Sequence, residues 1–242
     1  MSIEDAKKDL IDPTELRVGV NMGNILLVTD KTAEGLPIGI SPDIGAAIAE
    51  RLGVKLKLVP YKSPGAVADD VDKGAWDIGN IADEPKRAET ISFCQSYVEI
   101  PCTYLVADDS PLKTIEDVDK PGIRVAISER SAYDLYLTRT LKHAELVREE
   151  GLANAAKLYF DQKLDALAGL IPALKENVEE NPGYHLIPGQ YMAVRQAVGT
   201  SPSAKALNAF VQEYLTEAKS SGYVQALIDK HGVTGKLFVA SD

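Results

Sequence analysis

Two successive sets of alternating strand and helix signals predict an α/β protein of two lobes, each built on a largely parallel sheet with helical crossovers. A turn cluster at Asp108-Asp109-Ser110-Pro111 separates the sets. The apolar content of 45% suffices for a core in each lobe, and no repeat period or low-complexity tract points to another architecture.

In the first set, Leu16 to Val20 is a short apolar strand. Ser41-Pro42-Asp43 then offers an N-cap, a first-turn proline and a first-turn acid. Ile44, Ala47, Ile48 and Leu52 share one face of the helix that follows, and Gly53 stands at its left-handed end. Lys55 to Val59 is the next strand, Val67 to Lys73 is helical, and Trp76 to Ile81 is a third strand. Tyr97 to Val106 is extended and apolar.

The second set opens with a capped short helix at Thr114 to Asp117, a strand at Ile123 to Ile127 and a helix from Ser131 to Lys142. A strand at Leu164 to Ala168 leads into a helix from Pro172 to about Val178, which stops near Asn181-Pro182-Gly183. Extended segments at Tyr184 to Ile187 and Tyr191 to Val194 flank Pro188-Gly189. After Ser201-Pro202 comes the strongest helix, with Leu207, Phe210, Val211, Tyr214, Leu215 and Ala218 on its buried face and Gly222 at its end. A last helix runs from Tyr223 to Lys230. Ligands of such sheets bind beyond the carboxyl ends of the strands, where loops and helix N-termini expose backbone N–H groups.

Composition removes several function classes. The formal charge of −10, from 36 acidic against 26 basic residues, repels nucleic-acid phosphates and anionic lipid, and no basic patch reverses it. No apolar run reaches the length of a membrane span, and the N-terminus carries no signal core. The chain is therefore either cytoplasmic or one whose signal peptide is removed. Cys94 and Cys102 are too few for a disulfide scaffold. At strand rise their separation is about 27 Å, so a bridge would need an intervening turn. His143, His185 and His231 have no metal-ligand spacing, and no nucleophile elbow, phosphate loop or HExxH motif is present. Neither metal nor cofactor is expected.

The run from Asp77 to Tyr97, with Glu84-Pro85-Lys86-Arg87-Ala88 at its centre and Phe93, Ser96 and Tyr97 at its end, resembles the signature of the polar amino acid type of periplasmic solute-binding protein, bacterial family 3. Gly39 to Gly53, Leu164 to Ala168 and Gly222 to Gly232 resemble further family motifs in the same order, and the likeness spans about Leu16 to Gly232. The resemblance implies a two-lobed periplasmic-binding-protein type II fold, with two Rossmann-like lobes joined by two hinge crossovers near Thr103 to Ala107 and His185 to Gln190. Residues 1–105 with 190–242 then form the first lobe and residues 106–189 the second. It also implies a monomeric, non-enzymatic solute carrier in the periplasm that binds a small molecule between its lobes and delivers it to the membrane permease of an ABC transporter.

Site residues follow from the same resemblance. Arg87 takes the place of the arginine that grips a ligand α-carboxylate, and its planar fork suits that role better than a lysine would. Ser128-Glu-Arg-Ser131 stands for the anion loop of the second lobe, with Arg130 in place of the usual glycine and Ser131 capping the next helix. Tyr61 is a candidate lid, and Asn24 and Asn80 are candidates by their expected loop positions. The family's loop threonine is replaced by Ala82, the acid after the first strand by Asn21, and the second-lobe aspartate by Leu170. Both usual ammonium partners are thus missing, and burying an unpaired ammonium costs several kcal/mol. The expected ligand is a small organic acid, a hydroxy- or keto-dicarboxylate clamped by Arg87 and Arg130. The alternative is an amino acid whose ammonium finds Glu84 or backbone carbonyls. A cyclohexadienyl dehydratase-like enzyme on the same fold is a more distant alternative, because Leu170 removes the natural place for a proton donor.

Overall fold

The computed structural model describes residues 2–241, and the chain divides into two compact units. Unit 1 comprises Met1–Glu99 with Arg195–Asp242, and unit 2 comprises Ile100–Val194.

Unit 1 contains α1 (Ile3–Lys8), β1 (Glu15–Asn21), the small hairpin β2 (Asp30–Lys31) and β3 (Pro37–Ile38), α2 (Ile40–Leu52), β4 (Lys55–Tyr61), α3 (Pro64–Ala68), β5 (Ile78–Ala82) and β6 (Ser92–Phe93). β7 (Val98–Ala107) carries the chain into unit 2, which holds β8 (Arg124–Ser128), α4 (Ala132–Thr140), β9 (Glu145–Glu149), α5 (Leu152–Gln162), β10 (Ala166–Leu170), α6 (Ile171–Glu180) and β11 (Tyr184–Leu186). β12 (Met192–Thr200) returns it to unit 1, which closes with α7 (Lys205–Ser220), α8 (Tyr223–Lys230) and β13 (Phe238–Val239). The unit boundaries fall within β7 and β12. Of the expected crossover segments, Thr103 to Ala107 lies in β7 but inside unit 2, and His185 to Gln190 belongs to β11 and the turn after it.

In unit 1, β1 pairs in parallel with β4 on one side and β5 on the other. β12 adds an antiparallel strand to β5. Val18 and Val20 are fully buried on β1, and α2 covers the sheet with Ile44, Ile48 and Leu52. In unit 2, β10 lies between β7, antiparallel, and β8, parallel, while β9 continues the parallel order beyond β8. Ala155, Ala156 and Tyr159 of α5 pack on this sheet with Leu105, Ala126 and Leu167. In each unit the parallel strands bring their carboxyl ends to one edge of the sheet, as right-handed crossovers require.

Several local expectations are corrected. Ser41 is not the N-cap of α2: the helix starts at Ile40 with Gly39 in the capping position, and Ser41 is buried inside the first turn. Pro42 is tolerated there because first-turn N–H groups have no helical acceptor. The helix expected over Val67 to Lys73 is the shorter α3, opened by Ser63, whose hydroxyl accepts from the Ala66 N–H at 3.3 Å. β9 and α5 fill a stretch where no element was assigned. β9 is an exposed edge strand with only two half-buried apolar residues, and the buried face of α5 is largely alanine, so both carry weak periodic signals. Cys94 and Cys102 are both buried free thiols, and burial pushes the Cys94 thiol up to about 12.

Gly39 shows where the backbone leaves no room for a side chain. Its φ is 157°, and a Cβ there would strike the Leu27 carbonyl group, with the carbonyl carbon 2.8 Å away. Gly35, at φ 84°, has open space around the same position. Gly39→Ala is expected to destabilise the protein by about 2–4 kcal/mol in a urea titration, because backbone cannot yield to backbone. Gly35→Ala is expected to cost only about 1 kcal/mol, the left-handed strain alone. Equal losses would show that the Gly39 contact is relieved by movement of the β2–α2 segment.

Candidate functional site

The carboxyl edge of the unit 1 sheet gathers most of the first-lobe candidates. β1 ends at Asn21, which lies opposite Tyr61 at the end of β4, while Val20 lies opposite Asn80 on β5. Asn21 folds its side chain over the next turn, accepting from the Gly23 N–H at 3.0 Å. Asn24 is buried and caps the same turn by accepting from the Leu26 N–H at 3.2 Å. The Tyr61 hydroxyl donates to Asp70 at 2.9 Å. Burial, followed by that bond, holds the phenol well above its usual range.

Asn80 is not in a loop. It lies within β5, fully enclosed, and its amide NH₂ donates to the Ser41 carbonyl at 3.5 Å while its oxygen accepts from Tyr97 at 3.4 Å. The Ser41 hydroxyl is 3.0 Å from the same phenol. These three groups tie α2 to the sheet, and burial keeps the Tyr97 phenol protonated.

Ala82 ends β5, and the chain then folds back so that Ala88 N–H donates to the Glu84 carbonyl at 2.9 Å. This brings Arg87 against the strand end: its Nη1 donates to the Ala82 carbonyl at 3.0 Å, and the residue is only 5% exposed. Ala82 therefore serves through its backbone, which a threonine or an alanine supplies equally. Glu84, 2% exposed, sits in the same turn, and its Oε2 accepts from Lys86 N–H at 2.8 Å and Arg87 N–H at 3.4 Å. One loop thus buries a guanidinium and a carboxylate three residues apart. A surface depression of about 640 Å³ in unit 1 reaches this loop only through Asp83 and is otherwise lined by Gln95, Arg195, Thr216 and Lys219, so it holds none of the expected site residues.

Unit 2 presents its own strand-end set. β8 ends at Ser128 and β10 at Leu170, both buried. Arg130 has φ 56°, a left-handed conformation that favours glycine. Its backbone N–H donates to Asp134 at 2.8 Å, while the side chain is exposed. Ser131 caps α4 by accepting from Asp134 N–H at 3.0 Å. Asp134 is fully engaged, accepting also from Arg148 Nε at 2.9 Å and from Thr138. Leu170 occupies the N-cap of α6 and provides no side-chain cap. It borders a cavity of about 20 Å³ whose other walls include Gly169, Ala173, Leu174 and Tyr133.

Residues 16–234 match the bacterial extracellular solute-binding proteins, family 3. The chain belongs to this family. Among solved structures, an ArgBP variant from T. maritima shares 22% identity, with 96% of this chain and 99% of that one covered at a TM-score of 0.75. An ancestral amino acid-binding protein described as a precursor of cyclohexadienyl dehydratase shares 22%, covering 94% and 97% at a TM-score of 0.76. Cyclohexadienyl dehydratase of Pseudomonas aeruginosa is 23% identical over 203 residues, 81% of this chain and 74% of that protein. The fold is that of the type II periplasmic binding proteins. Family 3 proteins are extracellular by description, and no helix among the described residues is long and apolar enough to cross a membrane. No cluster of three or more metal-ligating side chains occurs among the described residues.

No motif marks Glu84 as buried or singles out Tyr133 and Tyr191, two further buried polar groups of unit 2. Glu84 follows an acid and precedes a proline, a turn context that carries no sign of burial, so it enters the sequence reading only as an alternative ammonium acceptor. Tyr133 follows Ser131 by two residues, a first-turn position where a large aromatic is unusual enough to serve as a signal.

The unit 2 loop yields a stability test. Arg130→Gly is expected to leave the melting temperature unchanged or raise it, because glycine removes the left-handed strain while the Asp134 bond to the backbone remains. Ser131→Ala is expected to lose about 1 kcal/mol through its cap. A clear loss in Arg130→Gly would mean that the arginine side chain itself holds the fold.

Proposed function

We propose that this family 3 protein carries an α-amino acid, with Arg87 holding the α-carboxylate and Glu84 meeting the ammonium group, and delivers it in the periplasm to the permease of an ABC transporter. The observation that carries this reading is the buried Arg87 and Glu84 within one strand-end loop. A zwitterionic ligand is complementary to a buried cation and a buried anion at close range. A second acid on the ligand would instead face repulsion from Glu84.

The hydroxy- or keto-dicarboxylate expected from Leu170 finds no support in the comparisons. Of the relatives named above, the two solved structures are ArgBP and an amino acid-binding ancestor, which agrees with the amino acid alternative. In this reading Glu84 of unit 1 supplies the acid that pairs with the ammonium group. Catalysis of the dehydratase kind is disfavoured by Leu170, since leucine at the α6 N-terminus supplies no proton donor.

Isothermal titration with an amino acid and its 2-hydroxy analogue separates the two readings. Glu84→Gln is expected to weaken the amino acid at least tenfold and to leave the 2-hydroxy acid unchanged or improved, since the amide still accepts from the loop N–H groups but no longer balances an ammonium. Arg87→Lys is expected to weaken both ligands by more than tenfold, because a point charge cannot reproduce the bidentate contact. Equal effects of Glu84→Gln on the two ligands would remove Glu84 from the site.

A further inference from the structure

The loop that buries Glu84 and Arg87 stands on one residue of β12. The antiparallel ladder between β5 and β12 places Ala82 opposite Gln196, and Asp83 N–H then donates to the Arg195 carbonyl at 2.9 Å, immediately before Glu84. The Arg195 side chain gathers two further segments of unit 1. Its Nη2 donates to the Ser241 carbonyl at 2.6 Å, and its Nη1 lies 3.7 Å from Glu99 Oε2 on β7. Asp83 and Arg195 line the same depression of about 640 Å³, with Lys219 of α7 as a second cation in its wall. Protein packed behind the Asp83 carboxyl raises it above the usual carboxylate range, the Arg195 charge opposes that rise, and the Glu84 charge adds to it. Two neighbouring acids thus share one loop, and the cation that acts on the first of them is Arg195.

We propose that Arg195 is a positioning residue for the ligand loop: its carbonyl fixes the backbone at Asp83, and its guanidinium balances the Asp83 carboxylate so that Glu84 and Arg87 stay in place for the amino acid. This deepens the amino acid reading and rests on it. Glu84 is buried and accepts from Lys86 N–H and Arg87 N–H, so its charge sits on a fixed stretch of backbone. Asp83 precedes it by one residue and keeps an exposed face. A carboxylate left unbalanced there repels Glu84 at the range of adjacent side chains, and the turn can relieve this only by moving or by taking up a proton. Either response alters the geometry or the charge offered to the ligand's ammonium. Lys219 does not stand in for Arg195, because the charges acting on Asp83 are those of Arg195 and Glu84. The Ser241 bond and the Glu99 carboxylate in turn keep the guanidinium at this place.

The test is a double-mutant cycle of Arg195→Gln and Asp83→Asn, read by calorimetry with the tightest-binding of L-arginine, L-glutamine and L-glutamate, with Arg195→Lys and Arg87→Lys alongside. Arg195→Gln is expected to weaken binding about tenfold on its own, but by no more than about threefold when added to Asp83→Asn, because the charge it leaves unbalanced is then gone. Taken as a ratio to the wild type at each pH, the loss in Arg195→Gln is expected to shrink as the pH falls and Asp83 takes up its proton. Arg195→Lys is expected to bind within about threefold of the wild type, since it keeps the charge. A loss in Arg195→Gln that is the same with and without Asp83→Asn, and at every pH, would show that the arginine only fastens the Ser241 and Glu99 segments, which overturns the inference. Unchanged affinity in Arg195→Gln beside a loss of more than about tenfold in Arg87→Lys also overturns it and leaves the amino acid reading standing. If Arg195→Gln does not fold, the double variant decides: recovery of folding and binding supports the inference, and failure of both variants overturns it. An Arg87→Lys variant that binds as well as the wild type, or a wild type that binds none of the three amino acids, contradicts the amino acid reading and this inference with it.

Discussion

Arg87 is a buried cation on a short loop, and burying a guanidinium is tolerable only where carbonyl oxygens and an anion are fixed around it. The end of β5 supplies both: the Ala82 carbonyl accepts from Nη1, and Glu84 is enclosed in the same turn. The turn keeps its shape because β5 is held on both sides, by β1 in parallel and by β12 in antiparallel register. Asp77, just before β5, anchors the opposite end of the strand by accepting from Ile11 N–H and Arg17 N–H, each at 2.7 Å. The sheet thus acts as a frame whose carboxyl edge can carry charge that a loop alone would expel.

Unit 2 carries mostly neutral groups at its strand ends. Its strand ends carry serine, leucine and tyrosine, and its one buried acid serves the architecture by bracing the left-handed Arg130 corner and the start of α4. At the α6 N-terminus unit 2 places Leu170, which shares a small cavity with Ala173 and Leu174.

Much of this was legible in the sequence because it is periodic or local. The strands ending at Asn21, Tyr61, Ala82 and Ser128 follow from apolar runs, and Arg87 and Ser131 follow from motif order. The rest depended on contacts between distant segments. Asn80 and Ser41 were read as loop and cap residues, yet they meet Tyr97 across α2 and β5, a partnership that spacing cannot reveal. Glu84 is named in the sequence only as an alternative ammonium acceptor, and its burial comes from the backward fold of its turn. The alanine face of α5 and the edge strand β9 bury too little apolar surface to register as amphipathic. The preference for a dicarboxylate rests on Asn21 and Leu170 standing where the resemblance implies ammonium partners, and weighs Glu84 only as the alternative acceptor.

The central claim is that a buried cation and a buried anion in one loop select a zwitterion. A thermal-shift measurement on the wild-type protein with a panel of L-amino acids and of hydroxy- and keto-dicarboxylates tests it most directly, since a ligand at 100 times its Kd stabilises by about 2.7 kcal/mol. The account predicts that one or more amino acids raise the melting temperature while the dicarboxylates lacking an amino group do not. A shift produced by such a dicarboxylate, with every amino acid silent, would contradict it.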